Sequence, residues 1–222
     1  MASPLTQNGQ AYGMLSERTR RRMTDRLRQN GISDERVLKA MHEVPRHLFV
    51  DQALATRAYD DVSLPIGHGQ TISQPLTVAR MTELLLQGRQ PGKILEIGTG
   101  CGYQAAVLLK TGAEVYSMER LAAILDQARR NLRASKLVNA RLVHGDGNAG
   151  LPEAAPFDGI IVAAAARSIP GALVDQLAEG GRMVLPLGET EQHLWLLEKT
   201  SQGVQKTKLD PVKFVPLLNG RS

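Results

Sequence analysis

Glu96-Ile97-Gly98-Thr99-Gly100-Cys101-Gly102-Tyr103 stands at the end of an apolar run, Ile94 to Ile97, and opens a helical pattern from Tyr103 to Lys110. Glycines at such a junction let the backbone turn sharply and come close to a ligand. Their spacing decides between ligand classes. A dinucleotide fingerprint needs a third glycine where this chain has Tyr103, and a phosphate loop needs a Gly-Lys-Ser/Thr that is absent. G-x-G-x-G behind an acidic residue suits a nucleoside-type cofactor whose amino-acid end lies over the loop, with Gly98, Thr99, Gly100 and Gly102 as the binding residues.

The flanking pattern extends this unit in both directions. A second apolar run, Val115 to Met118, ends in Glu119, and a helix follows with Leu121, Ile124, Leu125, Ala128 and Leu132 at helical spacing. Glu119 lies about 20 residues past Gly98, where an acid can accept hydrogen bonds from both hydroxyls of a ribose. A third run, Arg141 to Val143, leads into Gly145-Asp146-Gly147, whose Asp146 can read an adenine amino group. Further strands are expected at Gly159 to Ala163 and Met183 to Leu187, with Ile169 to Leu177 helical between them. Strands alternating with helices give crossovers and a doubly wound, mostly parallel α/β sheet, which binds ligands along its carboxyl edge. The runs His193 to Leu197 and Val212 to Leu217, with no helical pattern between, predict a closing antiparallel hairpin.

Ahead of this core the chain is helical. Residues 1–14 lack an apolar period and read as a mobile tail. A helix from Leu15 stops near Asn30-Gly31, and a second, capped by Ser33 or Asp34, carries Val37, Leu38 and Met41 and ends before Pro45. Residues 57–75 read as a long, and therefore functional, loop, followed by a helix from Leu76 to Leu86. The organisation expected is a tail over 1–14 and one domain over 15–222, with a helical preface and active-site loop at 15–90 and a cofactor-binding core at 91–222.

Composition narrows the function. With 222 residues, 42% hydrophobic and 22% charged, the chain can bury one core, and no run approaches the roughly 18 apolar residues of a membrane span. A single cysteine, Cys101, forms no internal disulfide and reads as packing in the glycine loop, so a cytoplasmic location is expected. His42, His47, His68, His144 and His193 are scattered without ligand spacing, and no metal is expected. The net charge of +5 is concentrated in Arg18, Arg20, Arg21, Arg22, Arg26 and Arg28. With only 4% aromatic residues for stacking, that stretch reads as a solvated helix face and nucleic acid is disfavoured as a partner.

The chain resembles the protein-L-isoaspartate O-methyltransferase family over roughly residues 30 to 218. The motifs that carry the resemblance are Val44-Pro45-Arg46-His47-Leu48-Phe49-Val50, Gln70-Thr71-Ile72-Ser73-Gln74-Pro75, Leu95 to Gln104, Gly145-Asp146-Gly147, Pro156-Phe157-Asp158, Gln176 to Arg182, and Val212-Lys213-Phe214-Val215-Pro216-Leu217. Asn148 and Ala163 to Ala166 depart from the family pattern, which often has an aromatic and a threonine at those places. The resemblance implies a Rossmann-like methyltransferase fold using S-adenosyl-L-methionine, with S-adenosyl-L-homocysteine as product. The reaction implied is methylation of the free α-carboxylate of L-isoaspartyl residues in damaged proteins and peptides, starting their repair. It further implies Ser73 as the residue that hydrogen-bonds the acceptor, and Gln70, Thr71, Ile72, Arg120 and Gly147 as cofactor contacts beside the loop glycines, Glu119 and Asp146. No Ser/His/Asp or paired-acid set is found, and none is needed, since a carboxylate is already ionised at neutral pH. Two other readings stay open at this point, a methyltransferase acting on RNA through the arginine-rich helix and an inactive cofactor-binding module.

Overall fold

The computed structural model describes residues 4–222, with side chains described from residue 17 onward. Of the tail expected over 1–14, residues 1–3 lie outside the described part. The first helix, α1, runs Pro4–Gln29 and so begins ahead of the expected start at Leu15. Proline is tolerated in a first helical turn, where its missing N–H has no partner to lose. Helix α2 (Glu35–Glu43) is capped by Asp34, whose side chain accepts from the Arg36 N–H, and it buries Val37, Leu38, Ala40 and Met41. A turn of 3-10 helix over Arg46–Phe49 follows.

The stretch expected as one long loop instead contains a small antiparallel hairpin, β1 (Leu64–Gly67) and β2 (Gln70–Ile72), with Leu64 opposite Ile72 and Pro65 opposite Thr71. Strands of three and four residues are too short to show an alternating pattern, which is why only their turn glycines stood out. Helix α3 (Pro75–Leu86) places proline in its first turn and packs one side on the sheet. The approach is close enough that a Cβ on Gly159 would fall 2.9 Å from Leu85 Cδ2.

The core then alternates as expected: β3 (Lys93–Ile97), α4 (Tyr103–Lys110), β4 (Glu114–Glu119), α5 (Ala122–Ala134), β5 (Arg141–His144), β6 (Phe157–Val162), α6 (Gly171–Asp175), β7 (Leu177–Leu187), β8 (Gln192–Thr200) and β9 (Gly203–Val212). They form a seven-stranded sheet in the order β5-β4-β3-β6-β7-β8-β9. Pairing is parallel from β5 to β7 and antiparallel for β8 and β9. Strand side chains alternate between the two faces: Ile94 and Ile161 join the cluster with α2, α3 and α4, whereas Leu95, Ile97, Ile160 and Val162 join the cluster on the opposite face.

Two expectations about the last third need correction. The helix is confined to Gly171–Asp175 because Leu177 already belongs to β7. The hairpin partner of β8 is Gly203–Val212, not Val212 to Leu217. Strand β9 is an edge strand rich in exposed polar residues, so it shows no apolar run. The segment Val215 to Leu217 runs instead beside Ala165, which donates its N–H to Val215 O at 2.8 Å and accepts from Leu217 N at 2.8 Å. The chain winds outward from β3 to β5, then crosses back to β6 on the other side of β3. This reversal opens a crevice at the carboxyl ends of β3 and β6.

Candidate active site

A cavity of about 810 Å³ occupies that crevice. Its floor is the glycine loop. Gly98 sits at φ +91, a conformation that L side chains rarely adopt. That turn aims the Gly98 and Thr99 N–H groups at Met118 O, at 2.8 and 3.1 Å, and the Gly100 N–H at Glu119 Oε2, at 3.0 Å. The loop after β3 is thereby tied to the end of β4.

Glu119 is buried and lines the cavity. Its Oε1 accepts from the N–H groups of Arg120 and Leu121, at 2.9 and 3.1 Å, just ahead of the N-terminus of α5. Both oxygens are held in place; Oε1 is filled by its two donors, and Oε2, with one, keeps a lone pair for a further donor. Gly147 also lines the cavity, and a Cβ there would lie 2.3 Å from Ile97 Cγ2, so only glycine permits this approach.

Glu96 behaves differently. It is fully buried in β3, Ser117 donates to its Oε2, and the Ser117 and Thr99 hydroxyls are 2.7 Å apart. Oε1 has no hydrogen-bond partner. Burial pushes the carboxyl up to about 8, with the Glu119 charge adding to the rise, so Glu96 is largely protonated at neutral pH.

The opposite wall comes from the preface. Gln70, Thr71, Ile72 and Ser73 all line the cavity, and the Ile66 side chain of β1 lies against the loop at Gly100. The Ser73 carbonyl accepts from Arg46 Nη2 at 2.7 Å, whereas among the described residues its hydroxyl has no hydrogen-bond partner. Arg120 lines the cavity as well, with its Nε unpartnered.

Among the sequence-predicted site residues, Gly102 and Asp146 are the two that do not line the cavity. Gly102 is the N-cap of α4, at φ +89, and acts by turning the chain into the helix. Asp146 lies beside it in the β5 turn, where burial would raise its pKa but the Gly220 and Asn148 N–H groups, at 2.7 and 2.9 Å, hold it below the usual range.

Sequence reading missed the third wall, Pro211 to Leu218. Its Phe214 is clamped by Gln192, which accepts from the Phe214 N–H at 2.7 Å and donates to its carbonyl at 3.1 Å. The alanines Ala164, Ala165 and Ala166 are buried, and their small side chains let that wall pack beside the exit of β6. Cys101 is buried, with its thiol pushed up to about 11 by burial. Among the described residues no group of three or more His, Cys, Asp or Glu is placed to hold a metal ion.

A doubly wound sheet with a glycine loop, a buried acid at the end of the neighbouring strand and a cavity over its switch point is the architecture of a Rossmann-like methyltransferase. The protein-L-isoaspartate(D-aspartate) O-methyltransferase family model matches residues 18–222. A protein-L-isoaspartate O-methyltransferase of Chromobacterium violaceum is 89% identical, covering 100% of both chains, and one of Dechloromonas aromatica is 60% identical over 94% of this chain and 97% of its own. A solved protein-L-isoaspartate O-methyltransferase superposes with a TM-score of 0.81 at 30% identity, covering 89% of this chain and 65% of that one. A Plasmodium falciparum structure of the same kind, in complex with S-adenosyl-L-homocysteine, gives 0.77 at 26% identity over 90% of this chain and 98% of its own. The chain belongs to the protein-L-isoaspartate O-methyltransferase family.

Proposed function

We propose that this chain transfers a methyl group from S-adenosyl-L-methionine to the α-carboxylate of L-isoaspartyl residues in damaged proteins and peptides, with Ser73 holding the acceptor. The observation that carries this reading is that Ser73, whose hydroxyl has no hydrogen-bond partner among the described residues, lines the same cavity as the glycine loop and Glu119, in a chain of this family. The residues present fit the cofactor: the loop glycines Gly98 and Gly100 and the glycine Gly147 line the cavity, Glu119 retains acceptor capacity at Oε2, and the buried Oε1 of Glu96 has no partner among the described residues.

S-Adenosyl-L-methionine, when bound, supplies a methyl group made electrophilic by its sulfonium. The chain's own work is then alignment. Gly98, Thr99, Gly100, Gly147 and Arg120 would hold the cofactor from the sheet side and Gln70, Thr71 and Ile72 from the opposite wall, Glu119 would accept from the ribose through Oε2, and Asp146 and Gly102 would shape the adenine end and the loop from just outside. The Ser73 hydroxyl donates to one acceptor oxygen and leaves the other to attack. No general base is required, because the acceptor is ionised at neutral pH, and positioning with exclusion of water carries the rate.

The RNA reading finds less support. Arg20 reaches Glu17 and the Glu43 carbonyl, Arg26 donates to the Tyr59 carbonyl, and Arg28 pairs with Glu35, so much of the basic helix is engaged within the fold. Among the described residues no helix is long and apolar enough to cross a membrane. A cytoplasmic location is part of the reading, in keeping with a single cysteine that can form no internal disulfide. A methyl-transfer assay on an isoaspartyl peptide, its aspartyl counterpart and bulk RNA tests it. Transfer to the isoaspartyl peptide alone is expected, and equal transfer to the aspartyl peptide or preference for RNA overturns it.

A further inference from the structure

The turn Val44-Pro45-Arg46 puts a guanidinium where a charge is least welcome. Arg46 has 0% exposure, although arginine is almost never fully buried unless paired. No ion pair engages it among the described residues. Its Nε donates to Ala58 O and its Nη2 to Ser73 O, each at 2.7 Å, and the guanidinium stacks 4.6 Å over the Tyr103 ring. Among the described residues Nη1 has no hydrogen-bond partner. Asp61 is the carboxylate whose charge reaches Arg46, and it gives an oxygen to the Leu76 N–H at 2.9 Å. Burial pulls the guanidinium's pKa down, but arginine starts so high that the group stays charged.

Tying two carbonyls together needs only a neutral donor. A desolvated cation with no carboxylate in direct contact is a costly way to do it, unless an anion arrives with a ligand. The cation holds the carbonyl of Ser73, a residue that lines the cavity. We propose that Arg46 is a positioning residue for the methyl acceptor: it fixes the Ser73 backbone so that the hydroxyl is presented to the cavity, and its unpaired charge draws the acceptor carboxylate to that wall. This rests on the reading of Ser73 given under the proposed function.

The test compares Arg46→Lys and Arg46→Gln with Ser73→Ala and with the unaltered enzyme. The readouts are melting temperature, calorimetric affinity for S-adenosyl-L-homocysteine, and KM and kcat for an isoaspartyl peptide. Arg46→Gln is expected to raise the peptide KM by about tenfold or more, with affinity for S-adenosyl-L-homocysteine within about twofold of the unaltered enzyme. Arg46→Lys, which keeps the charge but not both carbonyl bonds, is expected to recover most of that KM while kcat stays low. A lower melting temperature with KM and kcat per folded molecule unchanged overturns the proposal, as does a lysine variant no better than glutamine.

One measurement needs no variant, in case the substitutions do not fold. The complex of the unaltered enzyme with S-adenosyl-L-homocysteine is expected to bind the isoaspartyl peptide at least tenfold more tightly than the same peptide with its α-carboxylate replaced by a carboxamide. Equal binding overturns the proposal. A Ser73→Ala enzyme with normal turnover instead overturns the Ser73 reading, and it is recorded separately from any effect of Arg46 on KM.

Discussion

The cofactor wall and the acceptor wall of the cavity are built on different terms. At the ends of β3 and β4, backbone does the holding: the Gly98, Thr99 and Gly100 N–H groups are all bonded, and Glu119 is fixed by three backbone donors. Across the cavity the Ser73 segment hangs from a two-strand hairpin, one guanidinium and the Asp61 bond to the start of α3, with its hydroxyl left free. A wall of closed backbone bonds is rigid before anything binds. A wall held by a few side chains can adjust to a peptide. Within the first wall Glu96 is the exception, since it holds an unsatisfied oxygen and a proton.

That exception gives the largest expected effect. Burial pushes the Glu96 carboxyl up to about 8 in the fold, from 4.5 for a free glutamate, so between those pH values the native state keeps a proton that the unfolded chain has lost. Stability must therefore fall as pH rises through this window and level off above it, by an amount on the order of a few kcal/mol. Glu96→Gln keeps the shape without the titration. Its melting temperature relative to the unaltered protein is expected to rise steadily from pH 5 to pH 8. A constant offset across that range would show that Glu96 is ionised in the fold and that the first wall has no exception.

On the acceptor wall, Ser73→Ala removes a positioned donor and is expected to cut single-turnover methylation on the order of a hundredfold. Affinity for S-adenosyl-L-homocysteine should change by less than about 1 kcal/mol. Ser73→Thr, with the hydroxyl kept but stiffened, should fall between. An unchanged rate in Ser73→Ala, with only a lower melting temperature, would reduce this serine to a structural part and erase the contrast between the walls.

Glu119→Gln probes the closed wall. The amide must turn its NH2 toward one of the backbone donors that the carboxylate accepts, so it loses charge-assisted bonds at both the loop and the ligand. Calorimetry should show cofactor affinity weakened by roughly 1 to 2 kcal/mol. An unaltered affinity would mean that Glu119 only ties the loop to β4.

What the sequence revealed follows the same division. The cofactor wall was readable because its chemistry is written in residue type and spacing: glycines for unusual backbone, acids at successive strand ends. Glu96 carried a signal too, an acid at the end of an apolar strand, but its hydroxyl partner Ser117 meets it only across the β3–β4 register that puts the two opposite each other. The acceptor wall was readable only through its motifs. Its strands are too short for a period, and nothing in Val44-Pro45-Arg46 says that the arginine is interior, since composition assigns that charge to the surface. Strand β9 escaped for the opposite reason, because an exposed edge has no apolar face to alternate.

The smallest effect is expected at Asp146, which stands just outside the cavity. Its Oδ2 accepts from the Gly220 N–H at 2.7 Å and its Oδ1 from the Asn148 N–H at 2.9 Å. The Asn148 side-chain amide also donates to Oδ1, at 3.4 Å, so Oδ2 is the oxygen that can still accept once more, and a contact with the adenine end is compatible with these bonds. The side chain is only partly buried, which screens the contribution of its charge. Asp146→Ala should raise the cofactor KM by a few-fold, under about 1 kcal/mol, and leave kcat at saturating cofactor unchanged, the mark of lost uniform binding. A purely architectural Asp146 would show the reverse pattern: a lower melting temperature as Gly220 comes loose, with cofactor KM unmoved. Turnover that saturating cofactor fails to restore in a folded variant would place Asp146 in the aligned geometry itself, and the cofactor wall would then extend beyond the cavity as drawn.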